Sequence, residues 1–454
     1  MKLTKTLNAD TLTAVSAYLK LQGDHKVILE SIPRDNDQAR YSMIAMNPVH
    51  EVRFADGVLT QDGEKIASDN PLKTLESIVI SPDEDDELPF TSGAIGYVGF
   101  DMLGFYEHIQ PETLEDPIGT PDMAFMLYES FVVFDHKREV LTLVEDNVYS
   151  GRSENDLAQA LNSHEAELLA TGSTSQQPAP LQKMTFTSNF TGREFEEKVT
   201  QARELIRNGD MFQIVISQRL SADFTASPFD YYRSLRIENP SSYMYFLDFG
   251  DFHVIGSSPE RLVAVRDGVV STNPIAGTRK RGATEEEDDA LIAGLLADPK
   301  EVAEHQMLVD LGRNDIGKLS EYGSVHVPVF MHTEKYRYVI HITSVVEGKL
   351  RPEFTAMDAL ISTLPAGTLS GAPKIRAYQR IYEFENLKRG VYGGAVGYLT
   401  KNGNSDFAIA IRTMVLKDGI ANVQAGAGIV YDSDPASEFQ ETLNKARGLL
   451  EIGD

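Results

Sequence analysis

Residues 393–432 read GGAVGYLTKNGNSDFAIAIRTMVLKDGIANVQAGAGIVYD, and this stretch decides the fold class. The runs GGAVGYLT and NVQAGAGIVYD combine glycine with β-branched and aromatic residues, the composition of strands. Lys401-Asn-Gly-Asn and Lys417-Asp-Gly punctuate the stretch. Asn-Gly and Asp-Gly accept the positive φ that tight hairpin turns demand, so these strands pair with antiparallel neighbours. Helices flank them. Thr191-Gly-Arg-Glu194 is a capping box, followed at helical spacing by Phe195, Val199, Ala202 and Ile206, with Gly209 as the stop. Asp298 and Pro299 open a second helix through EVAEHQMLVDLGRND, and a third begins near Ser437. MFQIVISQRL (211–220) reads as a strand. The expected fold is α+β with large antiparallel sheets, not a βαβ parallel sheet.

The first part of the chain alternates in the same way. An opening helix is expected over 9–21 and short strands over 26–30 and 131–134. GAIGYVGFD (93–101) reads as a strand against which another backbone packs closely. Residues 171–180, TGSTSQQPAP, have linker composition. They divide the chain into an N-terminal segment (1–170), a linker (171–190) and a second segment (191–454). The acidic run 83–87 reads as a solvated loop, and no internal repeat is visible.

The 454 residues carry 42 basic and 68 acidic side chains, a net charge of −26. A chain this acidic lacks the basic stripe that nucleic acid requires, and anionic lipid would repel it. No apolar run approaches the ~20 residues of a membrane span, and the N-terminus has no signal-peptide core. A soluble, cytoplasmic protein is expected, with neither nucleic acid nor membrane as a partner. Cysteine is absent, which excludes disulfides, thiolate metal sites and a cysteine nucleophile; tryptophan is absent too.

Several groups have the makings of a site. Glu301 and Glu304 share a helix face, and Glu438 and Glu441 repeat the spacing with Lys445 one turn on. If the two helices face one cavity, the carboxylates form a hard-oxygen environment suited to Mg²⁺; otherwise they are solvated faces. His341, in an apolar strand-like run, is either a hydrogen-bonded core histidine or a general base or acid. PIAGTRKRG (274–282) and LPAGTLSGAPK (364–374) are either plain turns or anion-binding turns, the second leading into a helix N-terminus. Neither has nucleotide-loop spacing. AGAGIV (425–430) permits close approach by a ligand or another strand. Arg412, in the apolar run AIAIRTMVL, needs a carboxylate partner from the protein or from a substrate. Together these describe a site for a small, multiply anionic molecule.

At these residues the sequence resembles the chorismate-utilising enzymes, and within them the anthranilate synthase component I branch. The matching runs are GDMFQIVISQR (209–219), GSSPERLV (256–263), PIAGTRKRG, KEVAEHQMLVDLGRND (300–315), HITSVVEG (341–348), LPAGTLSGAPKIRA (364–377), RGVYGGAVGY (389–398), AIRT (410–413), QAGAGIV (424–430) and EFQETLNKA (438–446). The resemblance implies two large antiparallel β-sheets packed as a sandwich with helices outside. It implies Glu304 and Glu441 as Mg²⁺ ligands, with Glu301 and Glu438 nearby. Gly277, Thr278 and Thr368 would surround the chorismate ring, and Tyr392, Arg412, Gly426 and Gly428 would cradle the enolpyruvyl carboxylate. Glu260 is implied as the general acid for the departing 4-hydroxyl, His341 in pyruvate elimination, and Lys445 near the metal.

The implied reaction is ammonia attack at C2, loss of water from C4, then elimination of pyruvate to give anthranilate. Gln213 stands where water-using relatives carry a lysine base, and ammonia needs none. Ala276 stands where aminodeoxychorismate synthases, the alternative reading, have a candidate lysine nucleophile. A binding or regulatory protein that kept only the fold is the other alternative. The segments LES (29–31), RYSMIAMNP (40–48) and NPSSYMYF (239–246) resemble the family's tryptophan feedback pocket, implying Glu30, Ser31, Asn239, Pro240, Tyr243 and Met244 as its contacts. The family releases ammonia from glutamine with a cysteine-dependent glutaminase. A chain without cysteine therefore implies a separate glutamine amidotransferase partner.

Overall fold

A computed structural model describes residues 1–31, 40–81, 88–109, 114–170, 177–335 and 339–453. The acidic run 83–87 and the first linker residues, 171–176, lie outside the described residues. Two twelve-stranded antiparallel sheets form the molecule. The opening stretch supplies one hairpin to each. Ala395–Thr400 pairs with Ser405–Ile409 in one sheet, and Thr413–Lys417 pairs with Ile420–Ile429 in the other. The second turn has Asp418 at φ 51° and Gly419 at φ 74°, the two positive values that Asp-Gly accepts.

Both sheets run across the linker. Val27–Glu30 pairs with Tyr243–Asp248, and Gly93–Val98 with Ala395–Thr400. Between the sheets lies one apolar layer, to which Val27, Met43, Phe131 and Val133 contribute from one sheet and Ile95, Tyr97 and Val396 from the other. The intervening residues Ile28, Ile44, Val132 and Phe134 point the opposite way, into a layer under helices Ala14–Lys20, Pro228–Glu238 and Pro435–Leu450. Strands covered on both faces read as continuous apolar runs, which explains why 131–134 is so easily recognised. Each such large side chain stabilises the fold by about 1.5–3 kcal/mol. Helices Pro71–Val79, Pro299–Gly317 and Ala356–Thr363 cover the outer face of the other sheet. Among the described residues no helix is long and apolar enough to cross a membrane.

The predicted caps form. Thr191 Oγ1 accepts from Glu194 N at 3.3 Å and Glu194 Oε2 accepts from Thr191 N at 2.7 Å, a box worth about 1 kcal/mol. Asp298 accepts from Lys300 N at 3.0 Å, and Asp434 caps the last helix, which begins at Pro435, two residues before the expected Ser437 start. Three readings need correction. The opening helix is only Ala14–Lys20, because Lys2–Asn8 is a strand and Thr13 places the cap. PIAGTRKRG is not a turn: Ile275–Lys280 is a strand, bulged between Ala276 and Thr278. Arg412 is not in a strand either. It is exposed, with φ 48°, where the chain crosses between sheets, so burial places no demand on it.

Candidate active site

The charges on the two glutamate-bearing helices act on one another. Burial pushes the Glu304 carboxyl above the usual carboxylate range, Glu301 adds to the rise, Lys300 and Lys445 oppose it, and Glu441 adds further. Glu438 is raised as well, first by burial, with Glu441 contributing and Ser433, Lys445 and Lys300 pulling down. Half-buried carboxylates such as Glu304 and Glu438, raised in part by neighbouring carboxylates, are relieved by a cation. The oxygen-only donor set suits Mg²⁺, which takes few protein carboxylates and fills its shell with substrate oxygens and water. Among the described residues no three His, Asp or Glu side chains converge closely enough to hold a metal by themselves. Glu301 is engaged by Arg279 at 2.9 Å, which also bonds Asp298 at 3.0 Å. Glu441 is engaged by Lys445 at 2.6 Å.

Glu260 follows the strand Phe252–Ser258, and its carbonyl oxygen accepts from Ile409 N at 2.9 Å. Its carboxyl accepts from the Thr368 hydroxyl at 3.3 Å. Burial pushes its pKa up to about 8; the Thr368 bond and the charges of Lys445 and Arg412 lower it without undoing the rise. Glu260 and Thr368 line a common cavity with Asn273, Gly312, Asp315 and Thr363. A carboxyl of this kind is protonated near neutrality and able to donate.

His341 lies in the strand Val339–Lys349, opposite Thr278. Its Nδ1 is 2.9 Å from the Gly277 carbonyl oxygen and 3.1 Å from Thr278 Oγ1. A carbonyl only accepts, so Nδ1 carries the proton and, in the neutral ring, Nε2 carries the lone pair. Gly277 makes this possible. It sits at the bulge with φ 66°, and a Cβ there would stand 3.0 Å from Leu295 and 3.3 Å from Glu301.

The glycine strand completes the arrangement. The buried Tyr392 hydroxyl accepts from Gly426 N–H, and a Cβ on Gly426 would come within 2.9 Å of it. Burial raises this hydroxyl, which stays neutral. Lys445 Nζ donates to the Gly426 carbonyl at 3.1 Å. Across the ladder, the Gln213 amide lies over Gly428, 2.8 Å from where a Cβ would be. Arg412 enters through its backbone, whose carbonyl accepts from Ser257 N at 3.0 Å beside the strand leading to Glu260.

A family model described as chorismate binding enzyme matches residues 26–451. The chain belongs to the chorismate binding enzyme family. It is 67% identical, over the full length of both chains, to anthranilate synthase component 1 of Lactococcus lactis subsp. lactis (strain IL1403). It is 43% identical to the protein of that name from Thermus thermophilus, over 98% of this chain and 96% of the other. The crystal structure of anthranilate synthase component I from Streptococcus pneumoniae TIGR4 superposes with TM-score 0.87 at 52% identity, covering 98% of this chain and 99% of that one. The menaquinone-specific isochorismate synthase of Escherichia coli superposes with TM-score 0.73 at 21% identity over 99% and 95% of the two chains, a shared fold.

In this chorismate binding enzyme the residues likened to a feedback pocket lie around the paired strands Val27–Glu30 and Tyr243–Asp248, in the sheet that also carries Gly426. Glu30 is the register partner of Met244, and Ser31 and Tyr243 flank them. Glu30 is buried and accepts from Tyr232 Oη at 2.6 Å and Arg236 Nε at 2.7 Å. Asn239 ends the preceding helix and donates to the Gly448 carbonyl at 2.8 Å, with Pro240 next to it. Tyr243 pairs with Ser258, two residues from Glu260, and its hydroxyl bonds Asp406 at 3.0 Å and accepts from Arg261 at 2.7 Å. Sequence reasoning missed Arg279 and the Glu385–Arg389 pair. The second left a signal, Glu-x-x-x-Arg before an apolar strand, but on paper it is indistinguishable from a solvated helix pair.

Proposed function

We propose that this chain is the chorismate-aminating component I of an anthranilate synthase. The observation that carries the reading is Glu260, an acid held near pKa 8 beside the Thr368 hydroxyl. Chorismate would lie with its ring between Thr368 and the Gly277–Thr278 bulge and its enolpyruvyl carboxylate toward Tyr392, Arg412 and the N–H groups of Gly426 and Gly428. Glu260 donates its proton to the departing 4-hydroxyl as ammonia adds at C2. Gln213 offers an amide and no base, which suits a nucleophile with its own lone pair. His341, with Nδ1–H fixed on Gly277, presents Nε2 as the acceptor for the proton lost when pyruvate leaves and the ring aromatises.

Glu304 and Glu441 would hold Mg²⁺, with Glu301 and Glu438 beside them and Lys445 balancing the charge. When bound, the ion supplies positive charge to the ring carboxylate. Residues 191–454 carry the catalytic site and 1–170 complete the tryptophan pocket through Glu30 and Ser31. The sequence contains no cysteine, so ammonia comes from a separate glutamine amidotransferase subunit or from solution.

Incubation of the purified chain with chorismate, an ammonium salt and Mg²⁺, with products separated by chromatography, tests the reading. Anthranilate and pyruvate in equal amounts are expected. An aminated product that keeps its enolpyruvyl group would favour aminodeoxychorismate synthesis instead, and tight chorismate binding without turnover would leave only a binding protein.

A further inference from the structure

Arg389 is a cation with 1% of its surface exposed, and the chemistry above makes no use of it. It follows the helix Lys374–Glu385 and precedes Tyr392 by three residues. Its Nε and Nη2 form a bidentate pair with Glu385 at 2.8 and 2.5 Å. Nη1 donates to the Leu369 carbonyl at 2.7 Å and Nη2 to the Val215 carbonyl at 2.8 Å. The guanidinium also lies 4.4 Å from the Phe100 ring centroid and 5.4 Å from that of Tyr392. Glu385 extends the connection: its Oε1 accepts from the N–H and the hydroxyl of Ser217 at 2.7 and 2.8 Å, and Ser217 Oγ accepts from Gln424 at 2.7 Å.

Apart from Phe100, these contacts end one step from groups of the proposed substrate site. Leu369 follows Thr368, whose hydroxyl bonds Glu260. The Tyr392 ring carries the hydroxyl that meets Gly426. Ser217 and Val215 are the register partners of Gly426 and Gly428. The three walls come from separate elements, namely the short helix Gly367–Ser370, the segment before Ala395, and the strand Ile420–Ile429. No local preference of the chain holds three such elements in mutual register.

We propose that the Arg389–Glu385 pair is a positioning element of the substrate site, fixing Thr368, Tyr392 and the Gly426 and Gly428 backbone in one arrangement before substrate binds. The proposal rests on reading the cavity as a chorismate site. A buried ion pair adds little net stability over apolar side chains of the same volume. Arginine's planar fork does fix direction, pairing through two nitrogens with a carboxylate while reaching two carbonyls, four contacts where a lysine has three donors. Its benefit therefore lies in preorganisation, where a displacement of about 1 Å can cost on the order of a hundredfold in rate.

The test compares wild type with Arg389→Lys and with Ser217→Ala, which removes one link at almost constant volume. Ammonia-dependent kinetics are measured at constant free ammonia, with circular dichroism and thermal melts to establish folding at the assay temperature. In Arg389→Lys, kcat/KM for chorismate should fall about tenfold or more, chiefly through KM. The alkaline limb of kcat should move to higher pH, because Thr368 normally lowers the Glu260 pKa while Lys445 and Arg412, the other groups acting on it, are unchanged. Ser217→Ala should shift KM in the same direction by less. Folded Arg389→Lys with wild-type KM and an unmoved limb overturns the proposal. Should Arg389→Lys not fold, a wild-type KM in Ser217→Ala overturns it. Failure of the wild type to make anthranilate would refute the functional reading itself, a distinguishable result.

Discussion

Glu260→Gln separates catalysis from stability in a single variant. The carboxyl sits near pKa 8 against an ordinary 4.5. At pH 7 it is then ~90% protonated, where an ordinary glutamic acid would be ~0.3%, a gain of roughly 300-fold in available acid. Glutamine cannot donate that proton, so ammonia-dependent turnover should fall about 10²–10⁴-fold. In wild type, kcat at constant free ammonia should decline about tenfold per pH unit above 8, as the acid ionises.

Stability should move the other way. A pKa raised in the folded state means that the native protein binds this proton more tightly than the unfolded chain does. The contribution is fully present below pH 4.5 and is lost as pH rises through 8. A shift from 4.5 to about 8 sets a ceiling of about 5 kcal/mol, and the partial exposure of Glu260 reduces the expected effect to roughly 1–3 kcal/mol. Glu260→Gln lacks this loss, so urea denaturation at pH 5 and pH 9 should show the variant gaining on wild type as pH rises. A wild-type profile without an alkaline limb between pH 7 and 9, or parallel stability curves, would contradict the assignment of Glu260 as a buried acid.

Glu304→Gln and Glu441→Gln should each abolish Mg²⁺-dependent anthranilate formation while leaving the far-ultraviolet spectrum unchanged; full activity in either removes that carboxylate from the site. His341→Ala should slow pyruvate release more than amination, so that an aminated, enolpyruvyl-bearing intermediate accumulates in single-turnover chromatography, whereas unreacted chorismate alone contradicts the assignment. Met244 is 1% exposed beside Glu30, so Met244→Ala should cost about 2–5 kcal/mol of stability. Folded Met244→Ala should also need much more tryptophan for inhibition, and an unchanged inhibition curve places the pocket elsewhere.

What the sequence revealed was local, and what it concealed was long-range. The Asp418-Gly419 turn, the Thr191 capping box and the doubly buried strand at 131–134 follow from φ preferences, orphan amides and apolar density, all written in neighbouring residues. Which sheet each hairpin joins is not. The switch at 410–412 looks like one uninterrupted apolar run, and Arg412 accordingly passes for a cation buried in a strand. Gly96 meets Gly397 across about 300 residues of chain, and no periodicity encodes that pairing. The site residues emerged through resemblance to a family, because Glu301, Glu304, Glu438 and Glu441 taken alone are four of 68 acidic side chains. Glu385 and Arg389 were hidden for the converse reason: helical spacing made a buried junction look like surface.

On the proposed function, this cysteine-free chain aminates chorismate with free ammonia and cannot use glutamine unaided. Anthranilate fluorescence measured with the purified chain, Mg²⁺ and chorismate, with ammonium salt or glutamine as nitrogen source, tests it directly. Turnover with ammonia is expected, none with glutamine, and recovery of the glutamine reaction when a glutaminase subunit is added. Equal rates with glutamine for the chain alone, or no anthranilate from ammonia under any divalent cation, would contradict it.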